Sequence, residues 1–333
     1  KNLIFQSIFF IILFVGSILN GSNSNIFIQL NFIFFAIFFL FCLRHQNYKS
    51  HLMKFINDNK FILFLSLLFA TYIIFQIIPL PIEVLKRISP NTYVLLNSLD
   101  YDTKYFPISL SPSNTFFQLL NFTVIILIIF LIKMIFYKKR HLFRFFYFII
   151  LIGAFHSFVA VSLWLTGNQN FIFEKIAYLN SSTGFFVNRT VFSVFLNLCL
   201  IAGLQYLFLV NHNPTKNNNS LFWDVVYVRL LLVFIVIAII TTFSRLGNFI
   251  FAATVLFYLL FSMINSKKIL NNFSIVLIFL IIFDIAILGY FFGAEKLLNR
   301  FLFISDSFQI KEQSLVNYNR ISIIIFGIEQ IKQ

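Results

Sequence analysis

Gly184-Phe185-Phe186-Val187-Asn188-Arg189-Thr190-Val191-Phe192 leads without a break into an apolar run that ends at Val210. From Val191 to Val210 there is no charged residue. A helix of about 20 apolar residues crosses the hydrocarbon core of a bilayer. The stretch therefore reads as a membrane helix with a cation at its mouth. A guanidinium in that position needs water or an anion beside it.

Working outward, the same kind of run recurs along the chain. Upstream lie Leu3–Leu19, Ile26–Leu43, Phe61–Leu80, Phe116–Tyr137 and Phe145–Leu165. The run at Asn188–Val210 is the sixth, and Arg229–Phe243, Phe249–Ile264 and Phe273–Phe292 come after it. The chain is 60% hydrophobic and 11% charged, whereas soluble domains carry about 25% charged residues. The predicted class is an all-α, polytopic membrane bundle of about nine spans. The alternation in ~10-residue segments that a membrane β-barrel requires is missing. The 51 phenylalanines suit lipid contact and helix packing and carry no chemistry of their own.

Charge placement orients the bundle. The loops after spans two, four, six and eight hold Arg44, Lys49, Lys54 and Lys60; Lys138, Lys139, Arg140 and Arg144; Lys216 and Arg229; and Lys267 and Lys268. Asp58 and Asp224 are the acids there. The loop after span one has no charge, and the loop after span three mixes Lys86, Arg87 and Lys104 with Glu83, Asp100 and Asp102. Positive loops face the cytoplasm. The net charge of +14 is thus an orientation signal, not a nucleic-acid footprint. Arg189, Arg245 and Arg320 then share the outer side.

The reading is a single transmembrane domain over residues 1–333 with an outer loop at 81–115. The chain opens on Lys1 and stops at Gln333 without a terminus signal, and is expected to be part of a longer protein.

Five groups of residues stand out. At Asn188-Arg189, two readings are open. Arg189 snorkels to the interface, or it offers a planar fork of donors to phosphate oxygens beside helix amides. Ser244-Arg245-Leu246-Gly247 is a tight turn between spans seven and eight. Its arginine is either an interface anchor or a second cation on the same face, and Ser244 either caps span eight or bonds an anion. Pro79-Leu80-Pro81, Ser89-Pro90 and Pro107 to Thr115 stop and restart helices, and the apolar residues between Ile82 and Asn97 fit a segment along the interface. Lys133, His156 and Asp284 are ionisable groups within spans. Lys133 is near a span end and snorkels, while His156 and Asp284 make interhelical hydrogen bonds or carry protons. Cys42 and Cys199 lie inside apolar runs, where neither a disulfide nor a metal site is expected. The sequence has no P-loop, GxGxxG, HExxH or CxxC pattern.

Three of these stretches together resemble the O-antigen ligase/polymerase superfamily of bacterial envelope enzymes. Pro79-Leu80-Pro81 with Ser109–Thr115 looks like its first outer loop. Gly184 to Thr190 is similar to its Gly-x-Phe-x-Asn-Arg-Asn signature, with Thr190 in the last place. Ser244-Arg245-x-Gly247 resembles its Ser-Arg-Gly turn. Arg320 looks like the arginine opening its large periplasmic loop, which 293–333 would begin.

The resemblance implies a GT-C-like bundle in the bacterial inner membrane and a metal-independent transfer, without a cofactor. A glycan would move from undecaprenyl diphosphate to an acceptor glycan, lipid A core or protein. Arg189, Arg245 and Arg320 would hold the diphosphate, supported by Asn188, Ser244 and Gly247. The catalytic histidine of that family is expected beyond Gln333, so the 333 residues alone are expected to be inactive. A lipid or solute transporter, with His156 and Asp284 in a central path, and a non-catalytic membrane scaffold are the readings from other classes.

Overall fold

The structure, a computed structural model, describes residues 2–19, 24–97, 104–167, 181–211 and 218–265, with 275, 277–279 and 282 beyond them. Among the described residues, eleven helices and one pair of two-residue strands are delimited in chain order. They are α1 (Asn2–Ile18), α2 (Asn25–Leu43), α3 (Gln46–Asp58) and α4 (Lys60–Ile77), then β1 (Leu80–Pro81), α5 (Ile82–Ile88), α6 (Pro90–Asn97) and β2 (Tyr105–Phe106). They continue with α7 (Pro112–Ile135), α8 (Lys139–Leu165), α9 (Arg189–Asn211), α10 (Asn218–Thr241) and α11 (Arg245–Asn265). Among the described residues seven helices are long and apolar enough to cross a membrane, and α1 is a shorter apolar helix. The chain is a multi-pass, helical membrane protein. Most of the expected span at Phe273–Phe292, with Asp284, lies outside the described residues.

Several helices start earlier than their apolar runs. α10 begins at Asn218 rather than Arg229, α8 at Lys139 rather than Phe145, and α11 at Arg245 rather than Phe249. Hydropathy marks where a helix meets lipid, whereas backbone hydrogen bonding continues through polar first turns. The basic loop after span two also holds a helix of its own, α3. Its Tyr48 and Leu52 are buried, four apart on one side, with Lys49 and Lys54 exposed.

Contacts divide the chain into two units, Lys1–Ile250 and Phe251–Gln333. The first contains two packed groups. α8, α9 and α10 pack on one another. They meet at Gly153, where an added Cβ would sit 2.5 Å from Cys199 Cβ and 3.1 Å from Ile235 Cδ1. A missing side chain lets membrane helices approach closely, and dispersion then holds them. The second group is α2, α3, α4 and α7 with α1. Its centre is aromatic and aliphatic, around Phe9, Phe35, Phe38, Leu131 and Met134. α4 packs chiefly on α7, where Phe69 meets Phe122 edge-on at 5.2 Å, and leaves most of its surface to lipid.

α1 joins the two groups. Phe10 stacks on Phe148 at 4.0 Å, Arg144 Nη1 donates to Gln6 Oε1 at 3.3 Å, and Ser17 Oγ lies 2.9 Å from His156 Nε2. The second unit is described through the rest of α11. Phe251, Val255, Tyr258 and Ser262 are buried along one side, and Leu256, Phe257 and Leu260 are exposed on the other.

The described parts of the loop after α4 are ordered by backbone pairing. β1 pairs antiparallel with β2, Leu80 opposite Phe106 and Pro81 opposite Tyr105. Ser109 N donates to Gln76 O at 3.0 Å, pinning the loop's exit to the end of α4. The segment from Ile82 to Asn97 folds as α5 and α6, with Lys86 over the Tyr93 ring at 5.6 Å. Pro112 then occupies the first turn of α7, where no intrahelical N–H is needed.

Candidate functional site

Asn188 is the N-cap of α9. Its Oδ1 accepts from Thr190 N at 2.8 Å and its carbonyl from Phe192 N at 3.0 Å. A capping asparagine satisfies one of the amides that a helix start leaves open. Arg189 is therefore the first residue of the helix proper. It is half-buried, with Asn188 exposed before it.

The other motif has the same construction. Ser244 Oγ accepts from Gly247 N at 3.2 Å and Ser244 O accepts from Asn248 N at 3.0 Å. Ser244 is thus the N-cap of α11, and Arg245, exposed, is its first residue. The residues after Arg245 are the first turn of a helix, where a turn between spans was expected. The reversal lies just upstream, at Thr242-Phe243-Ser244. Phe243 takes φ +52, while Thr242 Oγ1 accepts from Ser244 N at 3.2 Å. A positive φ is costly for a bulky residue. The Phe243 ring, edge-on to Trp164 at 6.0 Å, helps to hold it there.

The two helix starts touch. Ser244 Oγ donates to Thr190 Oγ1 across 3.4 Å. One turn deeper, Asn197 Nδ2 donates to Ser193 O at 2.9 Å within α9 and to Gly247 O at 3.0 Å in α11. A Cβ on Gly247 would sit 2.3 Å from Ser193 Oγ and 2.4 Å from its Cβ. Glycine is required there by the approach of the neighbouring helix. The buried acceptors Asn197 Oδ1 and Asn248 Oδ1 meet no donor among the described residues.

The approach to Asn188 is held from below. Ser182 N donates to Thr241 O at 2.9 Å, and Ser182 Oγ lies 2.8 Å from Thr241 Oγ1 at the end of α10. Gly184 turns at φ +55 with its Cα against α8, where an added Cβ would lie 3.1 Å from Ala160 Cβ. Phe185 and Phe186 then bury themselves over His156, with ring centroids 5.3 and 5.8 Å from the imidazole. His156 is fully buried and hydrogen-bonded to Ser17 between α8 and α1. The interhelical bond is thus formed, and the histidine also forms the floor under the Gly184 turn.

Two positive helix ends, each worth about half a unit charge, thus stand side by side with an arginine on each. The acids among the described residues are Asp58, Glu83 and Asp224, none of them in either motif. Paired helix N-termini with a cation on each make a positive potential that favours an anion. Arg320 lies outside the described residues.

Asn197, Ser193, Ser182 and Thr241 are not among the candidates that the sequence offers. A signal for two of them is nevertheless there. Ser193 and Asn197 are polar residues four apart in an apolar helix, on the face that meets Gly247 in the first turn of α11. Set against family models, curated proteins and solved structures, the chain matches none of them.

Proposed function

We propose that this chain belongs to an envelope glycan transferase of the O-antigen ligase/polymerase type, with a GT-C-like bundle in a bacterial inner membrane. Its donor is a glycan on undecaprenyl diphosphate, and its acceptor a sugar hydroxyl at the periplasmic face. One observation carries the reading. The Asn188-Arg189 and Ser244-Arg245 motifs are far apart in the chain but sit on neighbouring helix starts, tied by the Thr190–Ser244 and Asn197–Gly247 hydrogen bonds.

In that reaction the acceptor oxygen forms a bond to the anomeric carbon as the bond from that carbon to the diphosphate oxygen breaks. Negative charge builds on the departing diphosphate. Arg189 and Arg245 would bind it more tightly as the charge develops, which lowers the barrier. The acceptor's proton goes to a general base, a histidine in the family that the motifs resemble. Arginine suits the role because its fork meets two phosphate oxygens at once and stays charged.

The test is binding of a short-chain polyprenyl diphosphate to the purified protein. Arg189→Ala and Arg245→Ala should each weaken binding about tenfold or more, by loss of a charge-assisted pair. Arg189→Lys should recover only part of it, and Arg87→Ala, in the outer loop, should leave it unchanged. Unchanged binding in both alanine variants returns the arginines to the role of interface anchors.

A further inference from the structure

The opposite end of the first unit carries a second cluster of cations, for which the donor site has no use. α3 touches α2, α4 and α7. Its His51 ring stacks on Tyr137 at 3.9 Å, so α3 lies against the α7–α8 turn. Lys138 reaches over the same Tyr137 ring at 5.5 Å. Arg44, Lys49, Lys54, Lys138, Lys139 and Arg140 lie on α3 and on the helix ends that flank it, all of them exposed. Asp58 is the acid that α3 contributes.

The depth of the cluster says what it meets. It stands where four apolar helices begin or end, at Leu43, Lys60, Ile135 and Lys139. That is the level of the lipid headgroups. Lys133, in the last turn of α7, extends over Phe55 at 5.4 Å and marks the hydrocarbon boundary. Exposed Met53 and Tyr137 lie among the cations and suit a glycerol backbone and acyl chain.

We propose that α3 and the α7–α8 turn form a docking site for the phosphate headgroup of an anionic phospholipid in the adjoining leaflet. The cations hold the phosphate, and the His51–Tyr137 stack forms the floor beneath it. Bound lipid then braces α3 against α7 and α8. The site is independent of the proposed diphosphate site at Arg189 and Arg245.

Native mass spectrometry of the full-length protein, titrated with phosphatidylglycerol or phosphatidylcholine, tests this. Phosphatidylglycerol should be retained in preference. The Lys138→Ala/Lys139→Ala/Arg140→Ala variant should lose affinity on the order of a hundredfold, at about fivefold per cation. The Lys138→Arg/Lys139→Arg variant should keep it, and Lys86→Ala/Arg87→Ala, on the outer loop, should not change it. Equal retention of the two lipids, or unchanged affinity in the triple variant, overturns the proposal. So does tighter binding of soluble polyglutamate than of phosphatidylglycerol, which would assign the patch to an acidic protein. Should the triple variant not fold, the wild type decides. Its phosphatidylglycerol retention should fall about tenfold or more between roughly 0.05 and 0.5 M salt, as phosphate contacts are screened. Salt-independent retention overturns the site.

Discussion

Asn197 Nδ2 bonds the carbonyl of Gly247 at 3.0 Å, and in doing so fixes the distance between the two helix starts that carry Arg189 and Arg245. The bond lies below the arginines, in a site that is 1% exposed at Asn197. An asparagine is needed because its amide can donate twice, once along its own helix and once across.

Replacing Asn197 separates this tie from bulk packing. Asn197→Ala should lower stability in detergent by about 1 kcal/mol, the usual scale of an interhelical hydrogen bond in membranes. Asn197→Asp should be worse, because a carboxylate would face two carbonyl acceptors in a buried site. Thermal unfolding of both variants checks the order. An aspartate variant as stable as wild type would contradict it.

Gly247 and Ser193 form a size-matched pair. Gly247→Ala should force the helix starts apart at about 1–3 kcal/mol, the range for overpacking. It should also weaken diphosphate binding without touching either arginine. Adding Ser193→Gly should restore much of both, since the clash is with Ser193 Oγ and Cβ. Stability and binding measured across the four-member cycle give the coupling directly.

Gly184 needs its left-handed backbone. Gly184→Ala should cost about 1–2 kcal/mol from the φ of +55 alone, and the close approach of Ala160 adds to that. Gly167, also at positive φ, has open space around its Cα. Gly167→Ala should therefore cost less than Gly184→Ala, and a comparison of unfolding temperatures decides between them.

The Ser17–His156 bond should couple α1 to the floor of the Gly184 turn. His156→Ala opens space among Phe155, Phe185, Phe186 and Phe195 and should cost about 3–5 kcal/mol, the scale for large buried rings. Ser17→Ala should cost about 0.6 kcal/mol for the interhelical bond, the bond from Ser17 Oγ to Phe14 O at 2.7 Å within α1 being lost with it. Once His156 is gone, Ser17→Ala should add almost nothing. An additive double variant would show that the two residues do not interact.

Sequence alone determined the features that the solvent imposes. A bilayer demands long apolar helices with paired backbones, so the spans and the membrane class could be read from runs of Phe, Ile and Leu, and the sidedness was inferred from Lys and Arg. The cap at Ser244 was legible as one of two readings, because a serine before a helix bonds its first turn for a local reason, whereas the cap at Asn188 emerged only with the structure. Only the tertiary structure decided what lies across from what. Nothing in a hydropathy pattern says that Asn197 reaches Gly247, that Ser244 meets Thr190, or that His156 holds the Gly184 turn. Those contacts depend on how α8, α9, α10 and the first turn of α11 pack, and close packing is set by small residues whose partners lie far away in sequence. Helix α3 is hidden from hydropathy for a related reason. Its apolar face is short and alternates with lysines, so it forms where the bundle end covers Tyr48 and Leu52, and not from a long apolar run.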